Sequence, residues 1–476
     1  MSPLQNLRAL PASLRGAALE RNPSGFETGL AAVVFLFASG LFAPEIAPDI
    51  GAFKINDFFV AMGAGVGWSI LLTKMRGGFR WLDHRILLPL IAFYFFVGIT
   101  IMWSGQPGAA SARYLGFILV TGWTIYLALR FEFRVLLRLI VGVFIAIGIV
   151  SALLAVLVPS IGQMQEYLHL GDWRGIYNQK NSLGRQMTLL ILMSIFMLFQ
   201  YREKGLAWLG LIVGIAILPM TGSRTSFVIT GIGVLSIIFL LLRRRPMAIL
   251  GIIIAICFFV LSFALQAVVE RDPLLIITGE TIEILGIPLE FTGRLGLWEF
   301  ASGFVDSRPL FGYGYGGFWE DPRFGGQLVK EEGWLANDSH NGFYDLVLQT
   351  GFVGLAAFLA IYVSHLYIAG RAVRQEYAPP AVQFASFYIL FFLFANLTES
   401  YLLKATNVIQ LLFSLAVMQL AIRPSIVWRG PRREIIEILP SGKIVAKDGE
   451  TEIPTDEILG RPVHRPFFRP RERRTQ

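Results

Sequence analysis

A few polar residues stand where a largely apolar chain has least reason to keep them. Arg224 lies in TGSRTS, at the seam between two apolar runs, and Arg294 lies in FTGRLGLW. Arg174, Lys180 and Asn181 share the stretch WRGIYNQKN. His340 and Asn341 sit in NDSHNGFYD, and Glu399 ends NLTES. A lone arginine at a membrane boundary is usually a snorkelling side chain. Arg224, however, is bracketed by Gly222 and small hydroxyl residues, which leave its guanidinium and nearby backbone N–H groups open to an anion. Arg294 follows Thr292 and Gly293 in a similar tight polar turn, where the plainer reading is a loop salt bridge. For Arg174 and Lys180 the plainer reading is ordinary solvated loop charge. His340 could be a structural histidine, or a neutral imidazole acting as a general base near neutral pH. Capping of the following helix suits Asn337, Asp338 or Ser339 better than His340.

Several cations and one histidine on the same side of a membrane suit transfer from a pyrophosphate. Arginine forks bind phosphate oxygens in pairs and stabilise charge growing on the leaving group. A histidine can take the proton from an attacking sugar hydroxyl, and pyrophosphate leaves well without a strong acid. The glycine-rich stretch PLFGYGYGGFW has no preceding strand and no following GK[ST], so it does not read as a nucleotide loop. Its glycines are expected to let the backbone turn tightly beside a substrate groove.

The elements that must position these residues are membrane helices. Of 476 residues, 55% are hydrophobic and 16% charged, against about 25% charged in soluble chains. Apolar runs predict an all-α integral membrane protein with about twelve spans. They fall near 28–45, 55–73, 86–104, 114–130, 135–158, 184–200, 205–220, 225–242, 247–268, 343–370, 381–397 and 402–422. The short links on one side hold roughly twice as many Lys and Arg as those on the other, including RRR at 243–245, which puts both termini in the cytoplasm. Residues 1–27 are then a cytoplasmic N-terminus. Their arginines Arg8, Arg15 and Arg21 precede a first span that no cleavage site follows, so it reads as retained. Residues 28–422 form one membrane domain, with a large outer loop at about 269–342, and 423–476 form a cytoplasmic tail. The tail's strand-like runs around an SGK turn predict a small hairpin, and its basic end suits anionic lipid.

Other classes fit less well. The net charge of +8 sits in the links between apolar runs, which is a topology signal and not a nucleic-acid face. One cysteine, Cys257, allows no disulfide within the chain, and five scattered histidines make no metal-ligand pair. No cofactor or metal is expected. A transporter would suit the helix number, but it usually carries ionisable residues at mid-membrane.

TGSRTS, then TGRLGLW with PLFGYGYGGFW, then SHNGFYDLVLQTGFVGL, in this order and spacing, resembles the O-antigen ligase and polymerase family with its Wzy-type C-terminal region. The resemblance covers about 220–360, and the GYGYGGFW and SHNGFYD forms look most like exopolysaccharide polymerases of rhizobial type. It implies a glycosyltransferase C-type fold in a bacterial inner membrane, with the active site facing the periplasm. It also implies a glycan donor on undecaprenyl pyrophosphate, a glycan acceptor, surrounding membrane lipid, and chain-length or export proteins as partners. The implied reaction is an inverting, metal-independent transfer. On this resemblance Arg224 and Arg294 match the pyrophosphate-binding arginines and His340 the catalytic base. Arg174, Lys180 and Asn181 match a looser polar motif, and Asn341 and Glu399 join them as candidate substrate-binding residues. Polymerisation of lipid-linked repeats is the leading expectation, with a ligase passing polymer to lipid A core as the alternative.

Overall fold

The computed structural model describes residues 23–40, 55–74, 82–201, 204–241, 281–284, 287–290, 294–319, 321, 323–324, 337–373, 379–404 and 406–422, with three short strands beyond. The chain is mostly helical. Its helices are α1 (Gly25–Ala38), α2 (Ile55–Lys74), α3 (His84–Thr100), α4 (Pro107–Arg130), α5 (Phe133–Leu157), α6 (Lys180–Gln200), α7 (Lys204–Ile217) and α8 (Arg224–Leu241). They are followed by α9 (Arg294–Ser307), α10 (Gly342–Val373), α11 (Pro380–Thr398) and α12 (Val408–Ala421). Eleven of the twelve expected spans are helical here; 247–268, with Cys257, lies outside the described residues. Among the described residues seven helices are long and apolar enough to cross a membrane, while Gly25–Ala38, Arg224–Ile238 and Val408–Ala421 are apolar but shorter.

The layering follows from which faces are apolar. α12 is buried along its whole length, and most of α6 is buried too. α12 packs on α11, α4 and α3, and α6 packs on α5, α7 and α8. The outer helices instead leave large apolar side chains on the surface, such as Leu88, Ile91 and Phe95 on α3 and Leu153 and Leu157 on α5. Such a surface suits hydrocarbon, since scattered exposed apolar groups on this scale have no partner in water.

Two departures from the expected boundaries matter for function. The last span was expected from 402 but α12 starts at Val408. The segment before it is irregular because side chains take over its backbone bonds. Asn396 Oδ1 accepts from the N–H groups of Tyr401 (3.1 Å) and Leu402 (2.9 Å), Gln410 Oε1 accepts from Leu403, and Asn407 caps α12. Secondly, α10 kinks at Gly351, whose φ of 67° and ψ of −174° are far from helical.

That kink explains the glycine-rich stretch, which turns tightly as expected, with Gly312, Gly314 and Gly316 at positive φ, and whose Pro309, Leu310, Phe311 and Gly312 line an open groove with Phe96, Ile99 and Trp103. Phe352 donates to the carbonyl of Pro309 (2.8 Å), Tyr313 to that of Leu348 (2.8 Å) and Gly314 to that of Gln349 (2.9 Å). Residues 309–314 therefore add their hydrogen bonds to the backbone freed at the kink. A Cβ on Gly314 would meet the carbonyl oxygen of Thr100 at 2.5 Å, and Gly314 has φ +86°. The glycines serve backbone-to-backbone packing between the end of α3 and α10. The Phe304, Tyr313, Phe318 and Phe324 rings cluster above it.

Small sheets lie outside the helical body. β1 (Thr281–Ile284) pairs antiparallel with β2 (Ile287–Glu290). In the tail β3 (Ser425–Arg429), β4 (Ile435–Ile438) and β5 (Ile444–Ala446) form an antiparallel sheet, whose β4–β5 pair spans the expected SGK turn.

Candidate active site

The chain gathers its polar residues at one end of the helical body, where α6, α8 and α10 begin and α11 ends. Arg224 is the first residue of α8, as its sequence position predicts. The turn before it is fixed by small residues. Gly222 adopts φ +55°, and Ser223 accepts from the Ser226 N–H (3.4 Å) and pairs with its hydroxyl (2.9 Å). A Cβ on Gly222 would lie 2.5 Å from Asp172 Oδ1, so only glycine permits this approach. Lys180 closes the junction: its ammonium donates to Asp172 (2.6 Å) and reaches the Gly222 carbonyl (3.4 Å). It also lies 2.9 Å from His169 Nδ1. Arg224 is partly exposed at the N-terminal end of a helix, where backbone N–H groups and the helix dipole favour an anion.

The two other members of the WRGIYNQKN stretch divide. Arg174 spends its guanidinium on the chain itself, donating from Nε to the Ile161 carbonyl (2.8 Å) and from Nη2 to that of Ser160 (3.4 Å). It clamps the loop between α5 and α6. Asn181 instead lines a narrow cavity with Arg185, Thr225, Ser226, Glu399 and Tyr401.

His340 sits in a strained turn. Its φ is +52°, an uncommon region for a residue with a Cβ. Neighbours on every side hold it there. Its N–H donates to Asp338 (3.0 Å), and the Ser339 N–H donates to the buried Asp345 (3.0 Å). Trp298 donates to the Ser339 carbonyl (2.7 Å). Asn341 Oδ1 accepts from Phe343 and Tyr344, so Asn341, and none of the three residues before His340, caps α10. His340 Nδ1 donates to Glu399 Oε2 at 3.0 Å. Glu399 is the extended residue that ends α11. Sequence positions 340 and 399 are thus joined directly.

Around this pair runs a chain of alternating charge. Asp338 forms an ion pair with Lys404 and lies 3.6 Å from His340 Nδ1. Burial pushes the Asp338 carboxyl up, but Lys404 and His340 outweigh it and hold it below the usual carboxylate range. Burial likewise depresses Lys404, yet Asp338 prevails and raises it. Sequence reasoning missed Asp338, Lys404, Trp298, Tyr401 and Arg185 as site members. The only local signal was Arg185, a cation one turn inside an apolar run.

Arg294 is the first residue of α9, one turn ahead of Trp298, and its side chain lies outside the described residues. α9 packs on α10, and Tyr344 donates from its hydroxyl to the Trp298 carbonyl (3.1 Å), so the start of α9 is tied to the His340 turn. Among the described residues no group of three His, Cys, Asp or Glu is placed to hold a metal ion.

A search of curated proteins returns no matching relative. A family profile described as O-antigen ligase matches residues 209–359, which include Arg224, α9, the glycine-rich stretch and His340. The match carries the family and not a polymerase branch of it. Over residues 209–359 this helical membrane chain is therefore similar to the O-antigen ligase family.

Proposed function

We propose that the protein polymerises lipid-pyrophosphate-linked oligosaccharide repeats at the outer face of a bacterial inner membrane. The family match supports a membrane glycosyltransferase-like role in O-antigen or polysaccharide assembly. The observation that carries the finer reading is the 3.0 Å bond from His340 Nδ1 to Glu399. A carboxylate on Nδ1 fixes the ring's orientation and tautomer and makes Nε2 the proton acceptor.

In this reading an acceptor hydroxyl attacks the anomeric carbon of the donor sugar. The new C–O bond forms as the bond to the lipid pyrophosphate breaks, with inversion. The hydroxyl proton passes to His340 Nε2, and the imidazolium that results is stabilised by Glu399. Arg224 and Arg294 take the charge that accumulates on the departing pyrophosphate. Lys180 and Asn181 shape the floor beside Arg224, and Asn341 acts by capping α10. The donor is an undecaprenyl-pyrophosphate glycan, and chain-length or export proteins would act on the product.

The test uses purified protein and lipid-linked repeats extracted from cells lacking it. Wild type lengthens the chains, and His340→Ala does not while remaining folded. A His340→Ala protein that polymerises normally would falsify the base assignment. The family description favours a second reading, transfer of finished polymer to a lipid A core. Cells lacking the protein separate the two: single-repeat glycans mark a polymerase, and bare core beside long lipid-linked polymer marks a ligase.

A further inference from the structure

Arg185 is a cation of the site with no part in the transfer as described. It lies on the second turn of α6, and its side chain lines the narrow cavity with Asn181, Thr225, Ser226, Glu399 and Tyr401. Its guanidinium carbon lies 5.4 Å from the centre of the Tyr401 ring, and Nη2 donates to Ser182 (3.1 Å). The Glu399 carboxylate lines the same cavity, close enough to attract the guanidinium electrostatically. The cavity measures about 10 Å³, space for about one water and not for a phosphate. Arg185 therefore lies against Tyr401 and shares a cavity with Glu399, the partner of His340, with no room for a pyrophosphate in that cavity.

We infer that Arg185 is a positioning residue: it anchors the Glu399–Tyr401 segment so that the Glu399 carboxylate meets His340 Nδ1. The inference rests on His340 being the base. The segment needs such an anchor because it is irregular. Glu399 is extended, Tyr401 and Leu402 hang from one amide oxygen of Asn396, and Leu403 has φ +62°. No helix fixes Glu399 from its C-terminal side. A charged planar group stacked on Tyr401 and drawn to Glu399 supplies a restraint from α6, a helix otherwise separate in sequence. Guanidinium suits this better than ammonium, because one flat face meets the ring while the edge meets oxygens.

The experiment measures chain extension on the extracted lipid-linked repeats, with kcat and donor KM read separately. Arg185→Gln is expected to lower kcat about 10–100-fold, the scale of a catalytic group shifted by about 1 Å, with donor KM within about twofold. In a Glu399→Gln background the same change is expected to cost less than about threefold, since the two residues act through one contact. Arg185→Lys should recover part of the lost kcat, because it keeps the charge and loses the flat stack. The inference is overturned by wild-type kcat in Arg185→Gln, by a raised donor KM with kcat intact, or by losses that multiply in the double variant. If Arg185→Gln does not fold, Arg185→Lys alone and with Glu399→Gln is read the same way. Activity in His340→Ala would sink the base assignment itself. An inactive His340→Ala beside a fully active Arg185→Gln would sink only the role of Arg185.

Discussion

At the residue scale the site depends on carboxylates that are each held by a cation or an N–H group. Glu399→Gln keeps the shape and removes the charge proposed to stabilise the imidazolium. It is expected to lower kcat by at least about tenfold with little change in donor KM, measured as rates of chain extension. Arg224→Lys should behave differently. An ammonium cannot offer two parallel donors to a phosphate, so donor KM should rise together with a fall in kcat. Lys404→Met leaves Asp338 without its counter-ion. Lys404 keeps 40% of its side-chain surface exposed, so the cost is smaller than for a sealed pair, about 1–2 kcal/mol. The sign of its pH dependence follows from Asp338, whose pKa falls to about 2. Its contribution is complete above the unfolded carboxyl pKa of about 4 and is lost as pH falls through about 2. Melting temperatures of wild type and Lys404→Met in detergent should differ at pH 7 and converge as pH drops toward 2.

At the element scale the irregular pieces carry the function and the helices hold them. Asn396 is the hinge pin of the α11–α12 connection, since one side chain satisfies two backbone N–H groups and also packs on Gly342 at the head of α10. Asn396→Leu would leave those buried donors unpaired at about 1–3 kcal/mol each. Lower thermal stability and a lower kcat, with Glu399 displaced, are expected together; a stable variant with normal kcat would contradict this account. Gly222→Ala would force a Cβ against Asp172 at positive φ. It should cost about 1–3 kcal/mol and loosen the Lys180 junction beside Arg224, seen as a fall in melting temperature and a raised donor KM.

At the scale of the whole molecule, the site is assembled from chain segments far apart in sequence, brought together by helices of which α12 and most of α6 are buried. If this end faces the periplasm, cysteines placed at the exposed positions 306 and 337 in a Cys257→Ser background will react with a membrane-impermeant maleimide on intact spheroplasts. Cysteines at 243–245 will react only after lysis. The reverse pattern would overturn the proposed orientation.

Hydropathy alone determined the helical membrane class and most segment positions, because hydrocarbon demands about twenty apolar residues per span wherever the span packs. The order of short motifs pointed to the family whose profile matches 209–359 and singled out Arg224, Arg294 and His340 as candidates. The tail hairpin was legible too, from a local turn signal. Only the tertiary structure could decide the rest. Nothing in the sequence near Glu399 says that it meets His340, or that Arg185 stacks on Tyr401, since pairing across 59 or more positions is set by how helices pack. The late start of α12 was hidden because Asn396 and Gln410 substitute for helical bonds, and propensity does not register such distant partners. The tight turns of the glycine-rich stretch were legible, but not what its glycines pack against, which is the carbonyls of α10 and α3. The histidine and several cations were visible as a set, and what the fold added was the carboxylates they meet, Glu399 for His340 and Asp172 for Lys180.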